Sequence, residues 1–496
     1  MSGAASLAAV DLGSNSFRMV IARAVDERLQ IVDRLREGVR LAAALDAERR
    51  LSEEGQERAL VALARFGQRL RDLPPESVRA VGTNTLRQAR NSRQFLERAR
   101  QVLGHHIEVV SGHEEARLIY LGVTGSLAAG DGSRLVVDIG GGSTECIVGA
   151  GLEPRLTESL YMGCVSWSQR FFPEGRIRRD GQRRAELAAR LELQPVELAF
   201  RRLGWERAVG SSGTVRAVDG ILRASGWSEQ GVTPEGLKRL RKAMLESKWT
   251  ERFSPLGLSA ERARVLPGGL AILAAVFKSL EVERMTAATG ALREGLLADL
   301  LGRIQHHDVR AATIDRLRVF YRVDRAQATR VERTALALLA AVAVAWQLEG
   351  DLPRTFLSWA ARLHELGLAV AHGGYHKHGA YLVASSDLPG FSRQEQLLLA
   401  LLVRAHRRKF PRGAFDELPA ERVEMARRLA VLLRLAVLLN RGRSRRPQPR
   451  LAVTAGGARI HLAFPPGWLE SHPLTREDLR QEAAYLASAQ VELAVE

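Results

Sequence analysis

The 496 residues are more than one compact core accommodates, so about two to four domains are expected. A composition 46% hydrophobic and 26% charged is that of folded globular protein, and two cysteines exclude a disulfide framework. The net charge of +17 favours polyanionic partners without naming one, since a general preference for arginine produces the same excess.

The segment Met1 to Val10 has no basic region followed by a long apolar core, so no secretory leader and a cytoplasmic setting are expected. Leu7–Val10 reads as a buried strand, Asp11-Leu12-Gly13-Ser14-Asn15-Ser16 as a turn and Phe17–Ala24 as a second strand. A helix is expected over Ser52–Arg71, with Leu60, Leu63, Phe66 and Leu70 on its apolar face. The strand Val78–Val81 ends in Gly82-Thr83-Asn84-Thr85, and a helix follows over Leu86–Leu103. The first pattern then returns as Leu135–Val137, the turn Asp138-Ile139-Gly140-Gly141-Gly142-Ser143-Thr144-Glu145 and the strand Cys146–Val148. After a helix over Arg184–Leu203, the second returns as Ala208-Val209 running into Gly210-Ser211-Ser212-Gly213-Thr214. Asp138 stands 127 positions after Asp11, and Gly210 stands 128 after Gly82. Two turn motifs recurring in matched order at one period indicate an internal duplication. Alternating strands and helices in two similar lobes then give an α/β unit closing on a cleft.

After about residue 301 the strand signals stop. Helices are expected over Ala311–Tyr321, Ala326–Leu348, Arg354–Ala369, Arg393–His406 and Glu421–Leu439. The longest uncharged apolar run, Thr334 to Leu348, is shorter than the roughly 20 residues of a bilayer span, so it reads as a buried helix and no transmembrane segment is expected. A basic, proline-containing linker over Arg441–Arg450 leads to a hairpin of Leu451–Thr454 and Ala458–Phe464. These changes of character divide the chain at 1–122, 123–301, 302–440 and 441–496.

Glycine admits positive φ and close approach to the main chain, and successive N–H groups in such turns form a nest for phosphate oxygens. Ser14, Asn15, Gly140, Gly141, Gly142, Ser143, Thr144, Ser212 and Gly213 are therefore candidate phosphate-binding residues. An aspartate at the strand end repels phosphate but suits Mg²⁺, which makes Asp11 and Asp138 metal-side candidates. Arg87 either clamps a phosphoryl group bidentately or serves as a surface ion-pair partner. Glu115, after the strand Ile107–Val110 and the turn Ser111-Gly112, either projects into the cleft as a catalytic group or simply starts a helix with Glu114. Glu145 either orients water or metal or is a charge at a sheet edge.

Taken together, Asp11-Leu-Gly-Ser-Asn-Ser-Phe, Gly82-Thr-Asn-Thr-Leu-Arg-Gln-Ala-Arg-Asn, Ser111-Gly-His-Glu-Glu-Ala-Arg-Leu-Ile-Tyr, Asp138-Ile-Gly-Gly-Gly-Ser-Thr-Glu, Met162-Gly-Cys-Val and Gly290-Ala-Leu-Arg-Glu-Gly resemble the exopolyphosphatase/guanosine pentaphosphate phosphohydrolase family. The resemblance runs over essentially the whole chain, including Leu363-His364-Glu365-Leu366-Gly367 and His376-Lys377-His378-Gly379-Ala380-Tyr381-Leu382. It implies a duplicated actin-like (ribonuclease H-like) two-lobe catalytic unit, an all-α domain related to the HD phosphohydrolases and a small C-terminal α+β domain. It also implies a homodimer and Mg²⁺-dependent removal of terminal phosphate, with Glu115 catalytic and Asp138 and Glu145 as the other acidic residues of the centre, Glu145 also on the metal side. A metal-binding HD domain needs a His-Asp dyad; His364-Glu365 stands in that place, so this domain is expected to have lost its metal. His376, Lys377 and His378 then either line a polyphosphate path or are ordinarily packed and solvated. The clusters Arg404–Lys409 and Arg441–Arg446 either extend a positive surface or form a solvated face.

Inorganic polyphosphate, cut processively, is the expected substrate, and guanosine pentaphosphate is the alternative. Phe171-Phe172-Pro173-Glu174-Gly175 and Val81–Thr85 favour the first, Gly467–Leu474 the second. A kinase of the same class needs an adenosine pocket, for which Gly268-Gly269 is the one candidate. Dedicated nucleic-acid binding is not expected: aromatic content is 5%, and the arginine clusters lack interleaved stacking residues.

Overall fold

The computed structural model describes residues 6–25, 28–127, 132–250, 258–305, 308–444 and 449–496; positions 445–448 of the expected basic linker and cluster lie outside the described residues. The chain forms two compact units, Met1–Asp308 and Val309–Glu496.

The first unit opens with β1 (Ser6–Leu12), β2 (Ser16–Val25) and β3 (Arg28–Gly38), then α1 (Glu53–Leu70), β4 (Val78–Gly82), α2 (Asn84–Gln88), α3 (Ser92–Leu103), β5 (Ile107–Val109) and α4 (Gly112–Ser126). Its second lobe follows with β6 (Ser133–Ile139), β7 (Thr144–Ala150), β8 (Glu153–Leu160), α5 (Cys164–Phe171), α6 (Arg179–Leu203), β9 (Arg207–Gly210), α7 (Gly213–Ala224), α8 (Pro234–Ser247), α9 (Ala260–Leu280), β10 (Met285–Ala287) and α10 (Leu292–Ile304). The sheets run β3-β2-β1-β4-β5 and β8-β7-β6-β9-β10, one topology used twice. In each, three antiparallel strands are followed by two parallel ones.

Successive residues of a strand point to opposite faces. Val10 and Leu12 pack with Leu63 and Phe66 of α1 and Phe95 of α3, whereas Leu7 and Ala9 join a different core. In the second sheet Leu135 and Val137 pack with α6 and α9, whereas Val136 and Ile147 join the same shared core as Leu7 and Ala9. Ile119 and Val123 of α4 and Leu296 and Leu297 of α10 fill that shared layer. The unit is thus layered helix, sheet, helix, sheet, helix. In sequence α10 belongs after the second lobe, yet it packs on α4 and β1 of the first. The two helices cross backbone to backbone: a Cβ at Gly122 would lie 2.0 Å from the Ala291 carbonyl oxygen, and one at Gly295 would lie 1.8 Å from that of Leu118.

The helix expected over Leu86–Leu103 is broken after Gln88. Ala89 is extended, and the Asn91 side chain holds the Leu51 backbone at both its N–H (2.8 Å) and its carbonyl (3.0 Å), which pulls the chain out of helix. α9 is long and apolar enough to cross a membrane by length and composition, but here it is a core helix of the second lobe.

The second unit contains α11 (Val309–Phe320), α12 (Arg325–Val342), α13 (Asp351–Leu363), α14 (Tyr375–Ser385), α15 (Arg393–Ala405) and α16 (Ala420–Leu439), then β11 (Ala452–Gly456), β12 (Arg459–Ala463), α17 (Trp468–Ser471), α18 (Pro473–Ala487) and β13 (Glu492–Val495). The expected hairpin is β11–β12, and the chain's last strand adds in parallel to β12. The terminal piece shares one core with the helices, Leu402 and Leu432 packing in the same cluster as Ile460, Leu462 and Leu486. The fully buried Arg434 joins them further, pairing with Glu482 of α18 and donating to the Arg408 carbonyl at 2.7 Å.

Candidate active site

The two hairpin turns meet across the cleft of the first unit. An added Cβ at Gly141 would stand 3.2 Å from the Ser14 Cβ of the first turn, and one at Gly142 would stand 2.7 Å from the Asn84 Oδ1 at the start of α2, so glycine is what lets the second turn close on the first lobe. Backbone bonds hold both. Val39 and Arg40 N–H donate to the Asn15 carbonyl (3.1 and 2.8 Å), and Cys164 and Val165 N–H at the start of α5 donate to the Gly140 and Gly141 carbonyls (2.9 and 3.0 Å). Ser212 caps α7, accepting from Val215 N–H at 3.1 Å, and Ser211, Ser212 and Gly213 line the cleft where that helix begins. A helix N-terminus presents unpaired N–H groups and a partial positive charge, which suit a phosphate.

Between the turns lies a cavity of about 140 Å³ lined by Asp11, Glu115 and Asp138 among others. Burial pushes the pKa of Asp11 up to about 6 against the pull of Arg293 and Arg18. Burial also raises Asp138, which accepts a hydrogen bond from Ser211, and Glu115, although Arg87 opposes the rise. Glu145 lies well above the ordinary carboxylate range through burial and the charges of Glu115 and Asp138. Facing the acids on the cavity wall are Arg18, Arg216, Arg262 and Arg293. Burial, compounded by repulsion from Arg18 among other charges, lowers the last three. A concave wall carrying both signs of charge holds a phosphate chain while keeping carboxylates close to the bond that breaks.

The structure brings Asp11, Ser14, Asn15, Glu115, Asp138, Gly140, Gly141, Ser143, Ser212 and Gly213 to this cavity, but not Arg87, Gly142, Thr144 or Glu145. Arg87 Nη1 pairs with the Glu115 Oε2 at 2.6 Å and donates to the Val110 carbonyl at 3.0 Å, an ion pair that is largely buried and not on the surface as its alternative reading expected. The Thr144 hydroxyl is spent on the Met162 carbonyl at 2.6 Å, and Gly142 is pressed against Asn84. Glu145 is buried behind the wall, accepting from Ser159 at 2.9 Å. It stands opposite Asp138 in the β6–β7 register, where the β1–β2 register places Arg18 opposite Asp11, so the duplicated hairpins differ in sign at this position. In the second unit His376 is buried in α14, and burial and then Arg407 lower its pKa to about 4. Lys377 is exposed and His378 half-buried, so the three side chains are not presented on one surface. The His364 Nδ1–H donates to the Ala361 carbonyl (2.7 Å), and Glu365 pairs with Arg443.

Arg18, Arg216, Arg262 and Arg293 carry no role in the sequence motifs described above. Arg293 lies within the Gly290-Ala-Leu-Arg-Glu-Gly motif, which was the available signal; the other three sit on separate elements with no local pattern.

A divalent cation suits the cavity chemically. The Asp11 Oδ1 is buried without a hydrogen-bond partner, and the neighbouring carboxylates raise one another's pKa, a repulsion that a cation offsets. Magnesium takes one or two carboxylates and completes its shell with water and substrate phosphate. Asp11 and Asp138 meet that need, and among the described residues no cluster of three or more His, Cys, Asp or Glu forms an all-protein site.

Residues 20–304 match the model of the Ppx/GppA phosphatase family, and residues 309–483 match that of Ppx/GppA phosphatase domain III. The chain is 41% identical over 475 residues to the guanosine-5'-triphosphate,3'-diphosphate pyrophosphatase of Aeromonas hydrophila, covering 96% of this chain and 95% of that one. Among solved structures it is similar to the Aquifex aeolicus PPX-GPPA enzyme, at 28% identity and a TM-score of 0.51 over 59% of this chain and 99% of that one. An exopolyphosphatase from Cytophaga hutchinsonii shares the fold at 24% identity and a TM-score of 0.55, over 61% of this chain and 98% of that one. With the duplicated sheets closing on an acidic and arginine-lined cleft, these matches place the chain in the Ppx/GppA phosphatase family, as a hydrolase of phosphoanhydride bonds.

Proposed function

We propose that this enzyme removes the terminal 5′-phosphate of guanosine 5′-triphosphate 3′-diphosphate, with inorganic polyphosphate as a second substrate. The observation that carries the first is the full-length relative, 41% identical, whose name states hydrolysis of that nucleotide. The order of substrates expected from sequence is therefore reversed. Both present the same terminal phosphoanhydride to one catalytic unit, so short segments such as Phe171–Gly175 say little about which is preferred. Polyphosphate keeps its place on a separate observation. Beyond the catalytic cavity lies a chamber of about 600 Å³ lined by Asn15, Phe172, Glu174 and Thr250. Next to it in the chain, Arg176, Arg178, Arg179, Lys242 and Lys248 line a groove, a setting for a longer polyanion.

In this reading water attacks the terminal phosphorus, the bond to the bridging oxygen breaks, and Glu115 accepts the proton from the water. Arg18, Arg216, Arg262 and Arg293 and the N–H groups of the two turns take up charge on the phosphoryl oxygens. Mg²⁺ is the cation we favour; held at Asp11 and Asp138, it supplies positive charge against the phosphate oxygens. Incubation of the protein with Mg²⁺ and the pentaphosphate, followed by anion-exchange separation, should give guanosine 5′-diphosphate 3′-diphosphate and one orthophosphate per nucleotide. Release of pyrophosphate, or loss of the 3′-diphosphate instead, would contradict the assignment.

A further inference from the structure

A buried charge cluster lies where α4 and α10 cross. Asp299 of α10 pairs with Arg79 of β4 (2.6 Å), with Arg303 one turn on (2.9 Å) and, through its other oxygen, with Arg117 of α4. Arg117 holds Glu114 through both Nε (2.7 Å) and Nη2 (2.9 Å). Arg79 stands 3.8 Å from the Glu114 carboxylate and 3.3 Å from that of Glu108 on β5. Among the described residues, three carboxylates and three guanidinium groups thus face one another inside the protein. A buried charge left without its partner is costly, so the cluster tolerates few arrangements of the four elements that supply it.

Two parts of the cleft depend on those elements. Glu114 precedes Glu115 in the first turn of α4, about 100° away around the helix. Its amide donates to the Ser111 cap at 3.1 Å, while its carboxylate is tied into the cluster. Holding Glu114 fixes the roll of that first turn and so the direction in which Glu115 leaves it. On the other side, the start of α10 places Ala291, Leu292 and Arg293 on the cavity wall. The close glycine contacts between the helices leave little slack between these two ends. Asp299, Arg79 and Arg117 do not line the cavity themselves.

We propose that Asp299 is a positioning residue for the hydrolysis, setting the aim of Glu115 relative to Arg293 through Arg117 and Glu114. The inference rests on Glu115 being the group that acts on the water.

The test is steady-state kinetics of Asp299→Asn at a temperature where circular dichroism shows it folded. The expected result is a kcat lowered by about tenfold or more with KM within about twofold, on the pentaphosphate and on polyphosphate alike, because a misplacement of about 1 Å costs up to about 10²-fold. In a Glu115→Gln background the same substitution should lower kcat no further, since it acts through Glu115. Arg117→Lys keeps the charge but loses the two-pronged grip. It should show the same kcat loss in milder form, and it carries the test if Asp299→Asn does not fold. An unchanged kcat in either folded variant, a raised KM with kcat intact, or an undiminished loss in the Glu115→Gln background would overturn the proposal. Full activity in Glu115→Gln alone would overturn the role of Glu115, and this inference with it.

Discussion

Glu115 sits between opposing influences. Burial pushes its pKa up, and Arg87, 2.6 Å from its Oε2, pulls it down. A carboxylate that takes a proton from water must first be ionised. Arg87→Met removes the downward pull, so the acid limb of the kcat/KM profile should move to higher pH, with activity at neutral pH reduced; a limb that stays in place would show that another group titrates there. Asp11 and Asp138 are legible in the sequence because strand ends followed by glycine-rich turns have few other uses when four of them recur in order. Glu115, in contrast, reads equally well as the start of a helix and is singled out only by the family resemblance. The arginines facing these acids are not legible. Arg18, Arg216, Arg262 and Arg293 come from four separate elements, and in a chain with 73 Lys and Arg no single one stands out.

At the scale of elements, α4 and α10 set the geometry of the cleft by crossing in direct backbone contact. Gly295→Ala would put a methyl carbon 1.8 Å from the Leu118 carbonyl oxygen, which no side-chain rotation relieves. The helices would have to separate, at a cost of about 1–3 kcal/mol in stability and with a loss of kcat. Thermal unfolding and initial rates of the variant check this, and an unaltered melting temperature would mean that the two helices are not held as described. The crossing is invisible in the sequence, because helical periodicity marks a buried face without saying which partner covers it. The break after Gln88 is equally hidden, since it depends on Asn91 reaching Leu51, 40 residues away. The duplicated β1–β2 and β6–β7 hairpins, in contrast, are readable from local turn chemistry alone.

For the molecule as a whole, stability and activity pull against each other with pH. Asp11, Asp138, Glu115 and Glu145 have raised pKa values, so their protonated forms favour folding, and that contribution is lost as pH rises through them, for Asp11 at about 6. Asp299 has the opposite sign. Burial raises it, but Arg79, Arg117 and Arg303 outweigh burial and hold it far below the ordinary carboxylate range, so its contribution is present at neutral pH and lost only in strong acid. Asp11→Asn, neutral at every pH, should therefore raise stability at pH 8 in metal-free buffer by up to about 3 kcal/mol, with the gain gone by about pH 4 and activity lost. Chemical denaturation at both pH values would show it, and a destabilised variant at pH 8 would mean that burial of Asp11 is not costly. The two-unit organisation is partly legible, as strand signals end near residue 301; that the terminal strand shares the helical core is not, because β13 is short and pairs with a strand 33 positions earlier, as Arg459 with Glu492. The most direct test of the account is phosphate release by the purified protein with Mg²⁺, comparing the guanosine pentaphosphate with long-chain polyphosphate, alongside Glu115→Gln. A higher kcat/KM is expected for the nucleotide, with measurable release from polyphosphate and both rates lowered by about 10²–10⁴-fold to a measurable residue in the variant. Preference for polyphosphate would contradict the substrate assignment, and full activity in Glu115→Gln would contradict the site itself.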